Sequence, residues 1–251
     1  MDNKQVYQTK EFEAWASGSE LIRAEEFLIS QYLKKNVPTC EAGTGGGRIL
    51  ISMKNAGFSD LYGFDFVPEL IERAKQRDRT EEIRFSVQDA LELTYADESF
   101  SQIIYLQQIL SFLGRKESIS MALGESFRIL KKGGVALFSF CNLDARLEQP
   151  GYRALIQYLI LLRKIKASAT SMQMMPWFKL GGKPNIGLLL DRPPYNYWFR
   201  PREAYNLLVG SGYTVTGMAS QHQIDHGELM ADIDTFCQAP QTGMLYFVCR
   251  K

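Results

Sequence analysis

An acid and three glycines at alternating positions, in the run Glu41-Ala42-Gly43-Thr44-Gly45-Gly46-Gly47, are the residues of this 251-residue chain best spaced to do chemistry. They follow a short extended segment ending at Cys40 and lead into an apolar, helix-like run, Ile49-Leu50-Ile51-Ser52-Met53. Strand, glycine turn and helix in that order bring the backbone of an open α/β sheet close to a nucleotide-like ligand. Glycine suits such a turn because it adopts positive φ freely and has no Cβ in the way. The spacing does not fit a dinucleotide fingerprint: G-x-G-x-x-G started at Gly43 ends on Arg48, and started at Gly45 it ends on Leu50. No Gly-Lys-Ser/Thr follows the turn, so a P-loop is also excluded. Asp65 lies 18 residues beyond Gly47, near the spacing at which a carboxylate accepts both hydroxyl protons of a ribose. Further along, His222 and His226 flank Asp225. A histidine there could remove a proton from an acceptor hydroxyl. Glu228, Asp232 and Asp234 follow, but acidic loops of this kind are ordinarily solvated, and no metal site is expected.

These residues need elements to hold them. From residue 36 to 140, strand-like and helix-like runs alternate, the pattern of crossover units on a parallel sheet. The expected strands are Pro38–Cys40, Asp60–Phe64, Arg84–Gln88, Phe100–Leu106 and Gly134–Phe140, with helices over Arg48–Ala56, Pro68–Arg77 and Ser118–Leu130 between them. Pro68 fits a first helical turn. Leu130-Lys131-Lys132-Gly133-Gly134 reads as a helix stop with basic residues in the last turn. Residues 1–35 are expected to form a helical cover, on the periodicity of Leu21, Ala24, Phe27, Leu28 and Tyr32. Beyond 140 the composition changes. Residues 141–199, rich in Met, Tyr and Pro, read as an insertion with one long helix, Tyr152–Lys166. Residues 200–251 supply a further helix and two closing strands.

The pattern from Glu41 to Gly47 resembles the first motif of the class I S-adenosylmethionine (SAM)-dependent methyltransferases. Three more segments resemble that family in the same order: Leu61-Tyr62-Gly63-Phe64-Asp65, Phe85-Ser86-Val87-Gln88-Asp89-Ala90, and Glu125-Ser126-Phe127-Arg128-Ile129-Leu130-Lys131-Lys132-Gly133-Gly134. The resemblance implies an open, mostly parallel seven-stranded α/β sheet with helices on both faces, an antiparallel last strand and a lid insertion after strand five. It implies SAM as cofactor, with Glu41 toward the ammonium end, Gly43 and Gly45 at the turn and Asp65 on the ribose. Asp89 would face the adenine amino group, Phe66 and Ala90 would line the adenine faces, and Gln107 would meet the methionine portion. Each acid also has a structural reading: a solvated strand end for Glu41, a helix entry for Asp65, a turn former for Asp89. The chain departs from the family where Gln107-Gln108-Ile109-Leu110-Ser111-Phe112 contains no histidine. No catalytic base carries over, which leaves His222 and His226 as the candidates.

Composition limits the acceptor. A formal net charge of +1 offers no footprint for nucleic acid or an anionic membrane. No apolar run approaches the length of a membrane span, no signal peptide is evident, and the four cysteines form no CxxC pair, so a cytoplasmic setting is expected. The expected acceptor is a small molecule, apolar or aromatic if the Met- and aromatic-rich insertion closes over it, with oxygen ahead of nitrogen as the methylated atom. Two other readings stand beside this one: a non-catalytic SAM-binding regulatory domain, and a nicotinamide-dependent oxidoreductase, which the failed fingerprint disfavours.

Overall fold

The computed structural model describes residues 16–18, 20–176 and 186–251. Helix α1 (Arg23–Tyr32) precedes strand β1 (Asn36–Ala42), followed by α2 (Arg48–Asn55), β2 (Ser59–Asp65), α3 (Pro68–Arg77), β3 (Arg84–Val87) and β4 (Phe100–Tyr105). A short α4 (Ile109–Phe112) and a longer α5 (Lys116–Ile129) lead to β5 (Leu130–Asn142). The insertion contributes α6 (Leu143–Leu147), α7 (Pro150–Ile165), β6 (Met174–Pro176), α8 (Ile186–Leu189) and β7 (Tyr195–Phe199). The chain closes with α9 (Pro201–Gly210), β8 (Thr214–Ser220), α10 (Gln221–Asp225), α11 (Ile233–Gln238) and β9 (Leu245–Arg250).

Strands β3, β2, β1, β4 and β5 lie side by side in parallel. β9 pairs antiparallel with β5, and β8 antiparallel with β9, so β8 again points the same way as β5. These are the seven expected strands with the expected antiparallel closure. The insertion adds two more: β7 continues alongside the end of β5 through Cys141↔Trp198 and Asn142↔Phe199, and β6 pairs antiparallel with β7.

Alternation along the central strands divides the core in two. Ala136, Phe138 and Phe140 of β5 face one cluster with Ile119, Ala122 and Leu123 of α5 and Ala204 and Leu208 of α9. Leu137 of β5 and Ile104 of β4 face the other, with Ala24 and Leu28 of α1 and Ile49, Leu50 and Met53 of α2. The sheet is therefore covered on both faces. Cys141, Leu143, Ile156, Met175 and Trp198 form a smaller cluster inside the insertion. Trp177 and Phe178 of the insertion lie outside the described residues, as do residues 1–15 of the N-terminal cover.

Most expected boundaries shift by one or two residues, and the largest difference lies at the start of β5. Helix α5 stops at Ile129, and Leu130, Lys131 and Lys132 already belong to β5, so Arg128 is the basic residue of its last turn. Gly133 takes φ +72° and donates its N–H to the carbonyl of Lys251 at 2.9 Å. The glycine turns the strand toward the C-terminus instead of ending the helix.

Candidate active site

The glycine turn joins β1 to α2 at the C-terminal edge of the sheet. Gly43, Gly45 and Gly47 have φ of +61°, +53° and +78°, a region that side chains with a Cβ rarely enter. At Gly43 a Cβ would also lie 2.3 Å from Ile109 Cδ1, and at Gly46 one would lie 2.5 Å from the carbonyl oxygen of Ala16. The turn is thus clasped from two sides. Arg77 fixes the second: its Nη1 donates to the carbonyls of Ala16 (2.9 Å) and Gly46 (2.8 Å), and its Nη2 to Gly18. The N-terminal segment is in this way pinned over the turn.

Asp65, at the end of β2, is 5 % exposed. Its Oδ2 accepts the Gly45 N–H at 3.0 Å and its Oδ1 the Val67 N–H at 3.0 Å. Burial pushes its pKa up, opposed by the backbone N–H groups of Val67, Gly45 and Phe66. A carboxylate oxygen has more than one acceptor direction, so each keeps capacity for a ligand hydroxyl.

A cleft of about 240 Å³ opens beside this turn. Gly43, Gly45, Asp65, Phe66, Asp89 and Ala90 line it, joined by Phe64, Leu70, Gln88, Leu91, Ile109, Phe112, Leu113 and Ser118. Asp89 is exposed and accepts the Leu91 N–H at 3.0 Å, which holds its turn against the mouth of the cleft. Among the lining residues there are two acids and no Lys or Arg. Such a wall repels phosphate and suits a ligand that carries positive charge.

The other sequence candidates do not line the cleft. Glu41 is 4 % exposed beneath the turn, where its Oε2 accepts the Thr44 hydroxyl at 2.6 Å. Burial raises its pKa to about 8, with the Thr44 bond and the Arg48 charge acting against that rise and Glu25 and Asp65 adding to it. Gln107, in a left-handed conformation at φ +59°, donates its Nε2 to Glu25. Glu25 in turn holds Arg48 through two bonds of 2.6 and 2.7 Å. His222 sits on α10 and His226 is its C-terminal cap, just past the end of β8 and so on the same sheet edge as the cleft. His226 Nδ1 lies 2.7 Å from the carbonyl oxygen of His222. The carbonyl of Asp225, between them, accepts Arg23 Nη2 of the N-terminal helix at 2.8 Å.

Sequence reading overlooked α4. Its Ile109, Phe112 and the following Leu113 form the apolar wall facing Asp65 and Asp89. The spacing of Ile109 and Phe112 was a weak helical signal. Gln107 and Gln108, both at φ near +60°, turn the chain from β4 into this helix, and glutamine gives no hint of that geometry.

Fold and cleft together define a Rossmann-like α/β domain with an acid-lined cleft at the carboxyl edge of its sheet, free of Lys and Arg among its lining residues. Residues 40–138 match the family described as a methyltransferase domain. Among curated proteins none matches this sequence. Solved structures similar to it include a SAM-dependent methyltransferase from Methanosarcina mazei, 17 % identical over 89 % of this chain and 96 % of that one, with a TM-score of 0.67. A possible histamine N-methyltransferase from Thermotoga maritima is 16 % identical over 99 % of this chain and 97 % of its own, with a TM-score of 0.56. Magnesium protoporphyrin IX methyltransferase from Synechocystis, solved with bound SAH, is 14 % identical over 99 % and 97 %, with a TM-score of 0.57. At these identities the likeness speaks for the fold, and the family match supplies the activity. Residues 40–138 are thus a methyltransferase domain, and S-adenosylmethionine is the cofactor that this match and the similar structures indicate.

Proposed function

We propose that this enzyme methylates a small-molecule acceptor, at oxygen in the first instance and at nitrogen in the second. The observation that carries the reading is the charge of the cleft wall: Asp65 and Asp89 with apolar neighbours and no cation, in a chain of net charge +1. A nucleic-acid substrate calls for a basic groove. Two of the similar structures are of enzymes named for small acceptors, histamine (as a possibility) and magnesium protoporphyrin IX, which favours the same class here. A cytoplasmic setting belongs to the same proposal and is supported by four free cysteines. Among the described residues no helix is long and apolar enough to cross a membrane.

SAM supplies an activated methyl on a sulfonium, so the protein's work is placement. Asp65 is the proposed ribose acceptor, held by Gly45 and Val67. Asp89, Ala90 and Phe66 are the proposed adenine wall. Gly43 and Ile109 bound the cleft on the α4 side. Holding the acceptor in line at near-attack distance is worth far more than any single acid–base group. On this reading Glu41 acts from beneath the turn through Thr44, and Gln107 acts from outside the cleft through the Glu25–Arg48 pair. The insertion, residues 141–199, is the proposed acceptor-facing lid. His222 and His226 would act as base only toward an acceptor that reaches α10.

Calorimetric titration with SAM and its demethylated product, followed by radiolabelled methyl transfer to a metabolite library, tests this. Transfer to one or a few metabolites is the expected result. Transfer only to RNA or to protein, with none of the small compounds labelled, would overturn it.

A further inference from the structure

The insertion contains a second, small pocket of about 20 Å³, separate from the cleft. On α6, the guanidinium carbon of Arg146 lies 3.4 Å from the ring centre of Tyr152 and 4.4 Å from that of Trp198. No described carboxylate pairs with it. Asp144 pairs with Arg200 at 3.3 Å, and Asp191 is held by Arg163 at 2.7 Å. A guanidinium stacked on aromatic faces keeps its N–H groups directed outward in its own plane, in the fork that matches a carboxylate. Asn196 on β7 lines the same pocket and is only 7 % exposed. Its Oδ1 is buried and has no hydrogen-bond partner among the described residues. Such an atom costs free energy until a donor reaches it. The pocket therefore offers a planar cation that has a hydrogen bond to Tyr152 but no carboxylate counter-ion among the described residues, and an acceptor without a donor, both lining one space among apolar neighbours such as Leu159 and Met175.

Its place relative to the cleft is set by β5. The Cys141 N–H at the end of that strand donates to Ser111 Oγ of α4 at 3.0 Å, and α4 walls the cleft through Ile109 and Phe112. Cys141 also pairs with Trp198 of β7. Pocket and cleft thus lie on either side of one strand end.

We propose that this pocket anchors the acceptor by its carboxylate, Arg146 donating to the carboxylate and Asn196 Oδ1 accepting from a hydroxyl or ammonium group beside it. The inference rests on the small-molecule reading above and narrows it to hydroxy- or amino-carboxylates. The space is that of about one water molecule, so a single polar group enters it and the remainder of the molecule lies outside the pocket.

Lactate, propionate and lactamide serve as probes, titrated into the full-length protein and followed by tryptophan indole ¹H–¹⁵N signals, with Trp198 assigned by W198F. Lactate should shift Trp198 saturably, propionate should bind more weakly, and lactamide should bind at least tenfold more weakly than lactate. R146Q should abolish the lactate response. N196D, which sets a carboxylate beside Arg146, should abolish it too while raising Tm, a result that misfolding would not give. Equal shifts with lactate and lactamide, no saturable shift at all, or an unchanged response in both variants would overturn the carboxylate site. If R146Q methylates its acceptor at the wild-type rate, the pocket assignment fails and the methyl-transfer reading stands. If lactate binds through Arg146 but no carboxylate in the library is methylated, the acceptor role fails.

Discussion

Asp65 orders the turn and faces the cleft with one carboxylate. Because both of its oxygens already hold backbone N–H groups, its removal should act on stability and on binding together. We expect Asp65→Ala to lose about 1–3 kcal/mol of stability as the Gly45 and Val67 donors lose their partner, and to weaken SAM binding about ten- to a hundredfold. Urea melts and calorimetry separate the two effects, and unchanged affinity would exclude the ribose role. Glu41 illustrates the opposite case, an acid that the fold keeps protonated. Its pKa is raised from 4.5 to about 8, so the folded protein holds a proton that the unfolded chain releases above about 4.5. Its burial is therefore least costly below that pH, and stability declines as pH rises from there toward 8. Glu41→Gln, a neutral analogue of similar shape, should flatten that decline in melts between pH 5 and pH 8.5 and leave the protein more stable than wild type at the upper end. A slope identical to wild type would mean that Glu41 is ionised in the fold.

At the scale of elements, the glycine turn is set by what presses on it. α4 leans on Gly43 through Ile109, and the N-terminal segment leans on Gly46 and is held there by Arg77. Gly43→Ala faces a left-handed φ as well as the Ile109 contact and should cost about 1–3 kcal/mol. Adding Ile109→Ala should recover the contact part and leave the backbone part, so the double mutant should be less destabilised than the sum of the two singles. Additive losses would show that Ile109 yields freely. Arg77→Met removes three carbonyl contacts without touching the core, so its expected effect is local. Amide exchange at residues 16–18 and 45–47 should accelerate while exchange in β1 and β4 stays unchanged.

Across the whole molecule, a parallel sheet with an antiparallel closure carries an insertion with its own small core. A buried ion pair stitches that insertion together: Arg163 holds Asp191 and also donates to the carbonyls of Ser171 (2.8 Å) and Met174 (2.6 Å). Asp191→Ala would leave this buried guanidinium without its counter-ion, a change that typically costs about 3–5 kcal/mol. The loss should fall on α7, β6 and β7, seen as faster hydrogen exchange there, with SAM binding retained because the cleft is built by residues 43–118. A cooperative collapse of the entire sheet would show instead that insertion and core fold as one unit.

The sequence alone determined those features that local physics enforces. The three alternate glycines implied a turn that only glycine adopts, and Asp65 and Asp89 followed strands whose apolar runs placed them at one sheet edge. Order and spacing were enough for fold and cofactor class, since both depend on backbone conformation and on chain-local periodicity. Tertiary structure decided what distant segments do to one another. It buried Glu41 beneath the turn against Thr44, and it drew Gln107 out of the cleft lining onto Glu25, a residue of a distant helix that pattern reading treats separately. It made α4 a wall of the cleft, through two glutamines in a conformation that their residue type does not advertise. It also brought Arg146, Tyr152, Asn196 and Trp198 to a single pocket across some fifty residues of an insertion without periodic signal. Such contacts follow from packing between elements, which no local pattern encodes.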